Sequence, residues 1–204
     1  MYLKLDNNKQ IKKFYRLLSL YKSIIFKFVK FKTSNSDKNI NLIIEALNIK
    51  NRKERITFVY DEACKLIDNQ VNGKNICGFE NCKCYTQRNN SYKYGCFRMC
   101  RYKTNSGCST KNLACKLFNC SEVKKRYKVI EYSDLKILKL LSIRQRFIVK
   151  SDYFTLRENV LKDLYSYSFI YSSIKIILRT IIDFIHVKAI EKRTINGGIY
   201  ENWT

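Results

Sequence analysis

The sequence predicts a mainly α fold: a helical core with an inserted, loop-rich cysteine module. Three observations carry this expectation. Apolar residues recur at helical spacing on both sides of the middle of the chain. Capping residues stand before several of those runs, at Asn7 or Asn8, at Ser36 or Asp37 and at Thr155. Eight of the nine cysteines fall in the 44 residues from Cys77 to Cys120, a polar stretch without helical period. The expected division is residues 1–75 and 122–195 as the two parts of one helical core, 76–121 as the metal-binding module, and 196–204 as a flexible tail.

Residues 8–32 read as a basic amphipathic helix, with Asn7 or Asn8 as N-cap and Ile11, Phe14, Leu17, Leu18, Tyr21, Ile24, Ile25, Phe28 and Val29 as its apolar stripe. The stripe is expected to pack on the core while lysines face water; an interfacial membrane helix or a nucleic-acid arm is the functional alternative. Ser36 or Asp37 caps a second helix through Asn48, which buries Ile40, Ile43, Ile44 and Leu47. A third runs from Arg52 to Gln70 on Ile56, Val59, Tyr60, Ala63, Leu66 and Ile67, with Cys64 beside that stripe as a small core residue. Asn72-Gly73 ends it.

Residues 77–120 read as loop and turn. Gly78, Gly95 and Gly107 each stand next to a cysteine, where a chain turning sharply around a metal needs them. Lys124 to Tyr132 reads as a basic run and then a short strand. A helix is expected over Asp134–Ile148. Thr155-Leu-Arg-Glu158 forms a capping box that starts a last helix toward Lys192, with a break near Ser166 or Ser168. Its centre, Phe169–Val187, is rich in Ile but contains Lys175, Arg179, Asp183 and His186. A membrane span tolerates few charges, so this centre is read as a buried amphipathic helix.

The formal net charge is +23, distributed as +8 over residues 1–32, +1 over 33–76, +7 over 77–120 and +7 over 121–204. Such a field attracts polyanions, either nucleic acid or an anionic membrane face, the second less favoured. Part of the lysine excess is what an AT-rich genome would also write. The N-terminal apolar residues are broken by Lys12, Lys13, Arg16, Lys22 and Lys27, so no secretory leader is expected and the compartment is taken as cytoplasmic. In a reducing cytosol clustered cysteines bind metal more often than they pair as disulfides.

The candidate ligands are Cys77, Cys82, Cys84, Cys96, Cys100, Cys108, Cys115 and Cys120. Thiolates are soft ligands, and eight of them match two closed tetrahedral zinc sites. The simplest partition is sequential, the first four on one metal and the last four on the other; interleaved pairings are equally open. An iron–sulfur cluster is the alternative cofactor, although the ferredoxin cysteine runs are absent. Two filled zinc sites would leave a charge of about +19.

Closed sites leave no position for a catalytic water. His186 is the one histidine, and no nucleophile elbow, phosphate loop, dinucleotide fingerprint or zinc-protease helix occurs. The sequence therefore leans away from an enzyme. Within the cysteine stretch Arg88, Tyr92, Lys93, Tyr94, Arg98, Arg101 and Lys103 interleave cations with aromatics. That pattern suits phosphates and stacked bases, or else a small aromatic core with solvated cations. Residues 134–163 also resemble a helix-turn-helix loosely, with a long turn that lacks glycine.

The runs I-C-G-F-E-N-C-K-C, Y-G-C, G-C-S-T-K-N-L-A-C-K-L-F-N-C and R-Q-R-F-I-V-K-S-D-Y-F-T resemble uncharacterised cysteine-rich proteins of low-GC anaerobic bacteria, over residues 60 to 165. The resemblance implies a bacterial cytosolic context and supports Cys77, Cys84, Cys96, Cys108, Cys115 and Cys120 best. It supplies no activity. The expected function is a non-enzymatic zinc-binding protein that contacts nucleic acid or a protein partner. An iron–sulfur redox or sensor protein, and a basic peripheral membrane protein using residues 8–32, are the alternatives.

Overall fold

The computed structural model describes residues 1–23, 28–71, 74–78, 80, 83–89, 103–104, 107–108, 112–153, 155–166, 173–178, 181–182 and 184–185. The fold is mainly helical, as expected. Strand β1 (Tyr2–Leu3) leads into α1 (Asn8–Tyr21), and β2 (Lys32–Thr33) pairs back on β1 in parallel, Tyr2 against Lys32 and Leu3 against Thr33. This corrects the expected helix over 8–32. Parallel strands must be joined by a crossover, usually helical, so α1 stops at Tyr21 and the chain returns. Lys22 N–H closes the helix on Leu18 O (3.2 Å) and Ser23 N–H on Leu20 O (2.9 Å). The start follows the sequence: Asn7 Oδ1 accepts from Gln10 N–H (2.9 Å), and Gln10 Oε1 accepts from Asn7 N–H (3.3 Å).

Phe14 and Leu18 are buried and Ile11, Tyr21 and Val29 pack half-buried against the core, so this part of the N-terminal stripe is core; Phe28, 83% exposed, departs from that expectation. Tyr21 bridges Phe14 (ring centroids 5.9 Å apart) and Phe31 (5.4 Å). The Asn48 amide accepts from Phe31 N–H (2.7 Å) and donates to Phe31 O (3.0 Å), taking the place of a strand neighbour.

Helix α2 (Lys38–Asn48) is capped by Asp37, whose Oδ1 accepts from Asn39 N–H (2.7 Å) and Ile40 N–H (3.2 Å). Helix α3 (Arg52–Val71) buries Ile56, Val59, Tyr60, Ala63, Cys64 and Ile67, and α2 packs against it. Both follow the apolar spacing read from the sequence.

The middle of the chain is less loop-like than expected. It holds α4 (Tyr85–Asn89), a hairpin of β3 (Lys103–Thr104) with β4 (Gly107–Cys108), and α5 (Leu113–Leu117). Helix α6 (Ser121–Arg126) replaces the basic run, and no strand follows it among the described residues.

The expected helix over 134–148 is split into a 3-10 helix (Lys136–Leu140) and α7 (Ile143–Ser151). Ser142 causes the split. Its Oγ accepts from Gln145 N–H (3.3 Å) and Gln145 Oε1 accepts from Ser142 N–H (2.9 Å), a capping box that begins a new helix. Helix α8 (Arg157–Tyr165) then packs on α3 and α7, and its break at Ser166 was expected. Its N-cap is Leu156, however, not Thr155. Thr155 Oγ1 turns back to donate to Tyr153 O (3.2 Å).

Residues 173–178, 181–182 and 184–185 are helical. The expectation of a buried helix fails here. Ile176 reaches the core at 5% exposure and Lys175 Nζ donates to Asp163 Oδ1 (2.7 Å). Those two residues set the face that docks. Ile174, Ile177, Leu178, Ile181, Ile182 and Ile185 are exposed. No described helix is long and apolar enough to cross a membrane. His186 and the tail lie outside the described residues.

Candidate functional site

The two ends of the cysteine stretch are folded onto each other. Gly78 has φ +56°, in the left-handed region that favours glycine, and turns the chain directly after Cys77. Glu80 and Lys83 exchange backbone hydrogen bonds, both 3.0 Å, and the chain returns so that Tyr85 N–H donates to Cys77 O (2.9 Å). Arg88 Nη2 locks the turn by donating to Gly78 O (2.8 Å), and its guanidinium pairs with Glu80. A methyl group on residue 78 would stand 3.3 Å from that Nη2. Cys84 is buried and Cys77 half-buried in this knot.

The far end of the stretch meets it. Cys120 Sγ lies 3.8 Å from Thr86 Oγ1, and the Arg126 guanidinium stacks 3.6 Å from the centre of the Tyr85 ring. Cys120, last in sequence, thus sits beside the segment of Cys77 and Cys84.

Cys115 faces another way, on α5 toward the core. Leu113 N–H donates to the buried Tyr60 hydroxyl (2.9 Å). The thiols of Cys64 on α3 and Cys115 on α5 both act on that hydroxyl; burial is the first cause that raises the Tyr60 pKa. Asn112 anchors the junction at 1% exposure. Its Oδ1 accepts from Cys115 N–H (3.1 Å), and its Nδ2 donates to Asp152 O (2.6 Å) and Thr155 O (2.9 Å). Lys116 pairs with Asp68 on α3, and Arg157 meets Asp61 through two bonds of 2.7 and 2.6 Å. The sequence reading passed over Asn112. Its signal was an N-cap residue three positions before Cys115.

Burial pushes the Cys64 thiol up to about 12 from its ordinary 9.0, while Lys116 pulls the other way. The folded state therefore holds this proton more tightly than the unfolded chain. The resulting stability is complete below pH 9.0 and is lost as pH rises toward about 12. Urea unfolding across that window should show stability falling with pH, and falling less steeply in Cys64→Ala. Equal slopes would place the alkaline loss elsewhere, with Tyr60 the next group to vary.

Among the described residues, no three His, Cys, Asp or Glu side chains lie close enough together to hold a metal ion. Cys82, Cys96 and Cys100 lie outside the described residues, and Cys108 is described only by its backbone, opposite Lys103 in the hairpin. Of the candidate nucleic-acid residues, Arg88 serves the Gly78 turn. The backbone of Lys103 forms β3, and Tyr92, Lys93, Tyr94, Arg98 and Arg101 lie outside the described residues. The chain matches no protein-family model, no curated protein and no solved structure.

Proposed function

We propose that the chain is a non-enzymatic zinc-binding protein whose cysteine stretch is a metal-held insert in the helical core, and that its partner is nucleic acid. The observation that carries the metal reading is the closure of Cys77–Arg88 onto Cys120–Arg126. A polar stretch of this length has little apolar surface to close on, and a cation shared by its cysteines would supply the stabilisation that a core of its own cannot. The partner reading rests on the net charge of +23 and on the cations interleaved with aromatics in the same stretch.

Protein purified without oxygen should be colourless and hold about two zinc ions per chain. Brown colour with visible absorbance would replace zinc by an iron–sulfur cluster. Chelation should make residues 77–120 sensitive to protease while the helical circular dichroism persists; an intact stretch after complete metal removal would end the metal reading. Replacing Arg98 and Arg101 by Gln should weaken oligonucleotide binding and flatten its salt dependence by about 0.7–0.9 log units per lost phosphate contact. Unchanged binding would move the partner reading to a protein.

A further inference from the structure

A row of cations runs across the ends of the core helices. Lys22 follows α1, Arg52 and Arg55 open α3, and Arg144 and Arg146 open α7. They come from three distant parts of the chain, so no charge run announces them. All five are half-buried. Lys22 feels Arg146 and Arg55, Arg55 feels Arg52, and Arg144 feels Arg52. Burial first, and then these like charges, hold the pKa values of Lys22, Arg55 and Arg144 below their ordinary values.

Part of the row has a structural use. Lys22 Nζ donates to Leu140 O (3.2 Å), Arg52 Nη1 to Tyr165 O (3.0 Å) and Arg55 Nη1 to Ile49 O (3.2 Å). Arg144 Nη2 donates to Asp163 O (3.1 Å) and to Ser166 O. Most of these carbonyls end helices, where a cation is stabilising. For Arg55 and Arg144 these contacts use a small part of a guanidinium's five donors.

Helix capping does not account for Arg146. Its Nε is shut away from water with no acceptor, and Arg144 Nε is in the same state. The neighbouring Tyr132 hydroxyl is also buried without a partner, and Lys150 Nζ lies 4.2 Å from the centre of that ring. The carboxylate that bears on Arg144, Asp163, is itself engaged by Lys175 at 2.7 Å. Half-buried like charges and orphaned donors are costly without a counter-charge. An oxyanion bound to the remaining donors would offset the like charges, and guanidinium forks match the oxygens of phosphate.

We propose that Lys22, Arg55 and Arg146, extended by Arg52 and Arg144, bind a phosphate group. The site lies on the helical core, uses no cysteine and stands whether or not the cysteine stretch holds metal. The phosphate belongs either to a nucleic-acid backbone or to a small phosphorylated molecule.

The test is thermal unfolding of the full chain in inorganic phosphate against chloride at equal ionic strength, with Arg146→Gln and Lys22→Met. Phosphate should raise the midpoint of the wild type. Without phosphate, Arg146→Gln should unfold at the same or a higher temperature, because a repulsion is relieved. Its phosphate affinity should fall about tenfold, as for the loss of one charge-assisted hydrogen bond. Lys22→Met should lose phosphate affinity likewise and serves where Arg146→Gln fails to fold. A parallel titration with single-stranded DNA names the source: weakened DNA binding in the variants assigns a phosphodiester, and unchanged DNA binding with lost phosphate response assigns a free phosphate compound. No phosphate response in the wild type, or an undiminished response in both variants, overturns the proposal.

Discussion

Phe14→Asp is expected to unfold the helical core. The ring is 2% exposed and packs among Tyr15, Tyr21 and the apolar residues around α1. Losing a buried aromatic side chain costs about 3–5 kcal/mol. The carboxylate adds the cost of a buried charge without a partner. Domains have only about 5–15 kcal/mol in total, so little native helix should survive by circular dichroism. Phe14→Leu, which keeps an apolar side chain there, should fold with a lower urea midpoint. A Phe14→Asp variant that stayed folded and merely lost binding to anionic liposomes would return this stripe to the membrane.

Asn112→Ala has the next largest expected effect, about 3 kcal/mol or more. The side chain caps α5, and such a cap is worth about 1 kcal/mol. Its Nδ2 also satisfies the carbonyls of Asp152 and Thr155 in a buried setting. Each buried acceptor left without a donor costs about 1–3 kcal/mol. Asn112→Asp separates the two roles. It keeps an oxygen for Cys115 N–H but brings a carboxylate to the two carbonyls. If the clamp matters most, Asp is at least as damaging as Ala; a mild Asp and a damaging Ala would leave the cap as the whole effect. Urea unfolding measures both, and protease cutting near residues 112–120 should increase together with the loss.

The helices of the first third were legible because each needs only its own neighbours. Asp37 and the Ile40, Ile43, Ile44 and Leu47 stripe define α2 locally, and α3 likewise follows its own apolar spacing. The start of α1 was legible for the same reason, through Asn7 and Gln10. Its end was not. The stripe continues past Tyr21, but pairing of Lys32 with Tyr2 lies thirty residues away in sequence and takes the chain back before the stripe is used up. Thr155 misled in the same manner. Its spacing to Glu158 is that of a capping box, yet the Asn112 clamp draws its backbone away.

By itself the sequence determined the helical class, the caps of α1 and α2, the clustering of eight cysteines and the net charge of +23, because these are properties of single residues and of neighbours within a turn or two. The tertiary structure alone decided which residues meet. It set Cys120 beside Thr86, turned Cys115 toward Tyr60, buried Ile176 while leaving Ile177, Ile181, Ile182 and Ile185 exposed, and gathered Lys22, Arg55 and Arg146. The reason is that packing, burial and electrostatic coupling act through space. No spacing along the chain encodes that cations from α1, α3 and α7 share one end of the core.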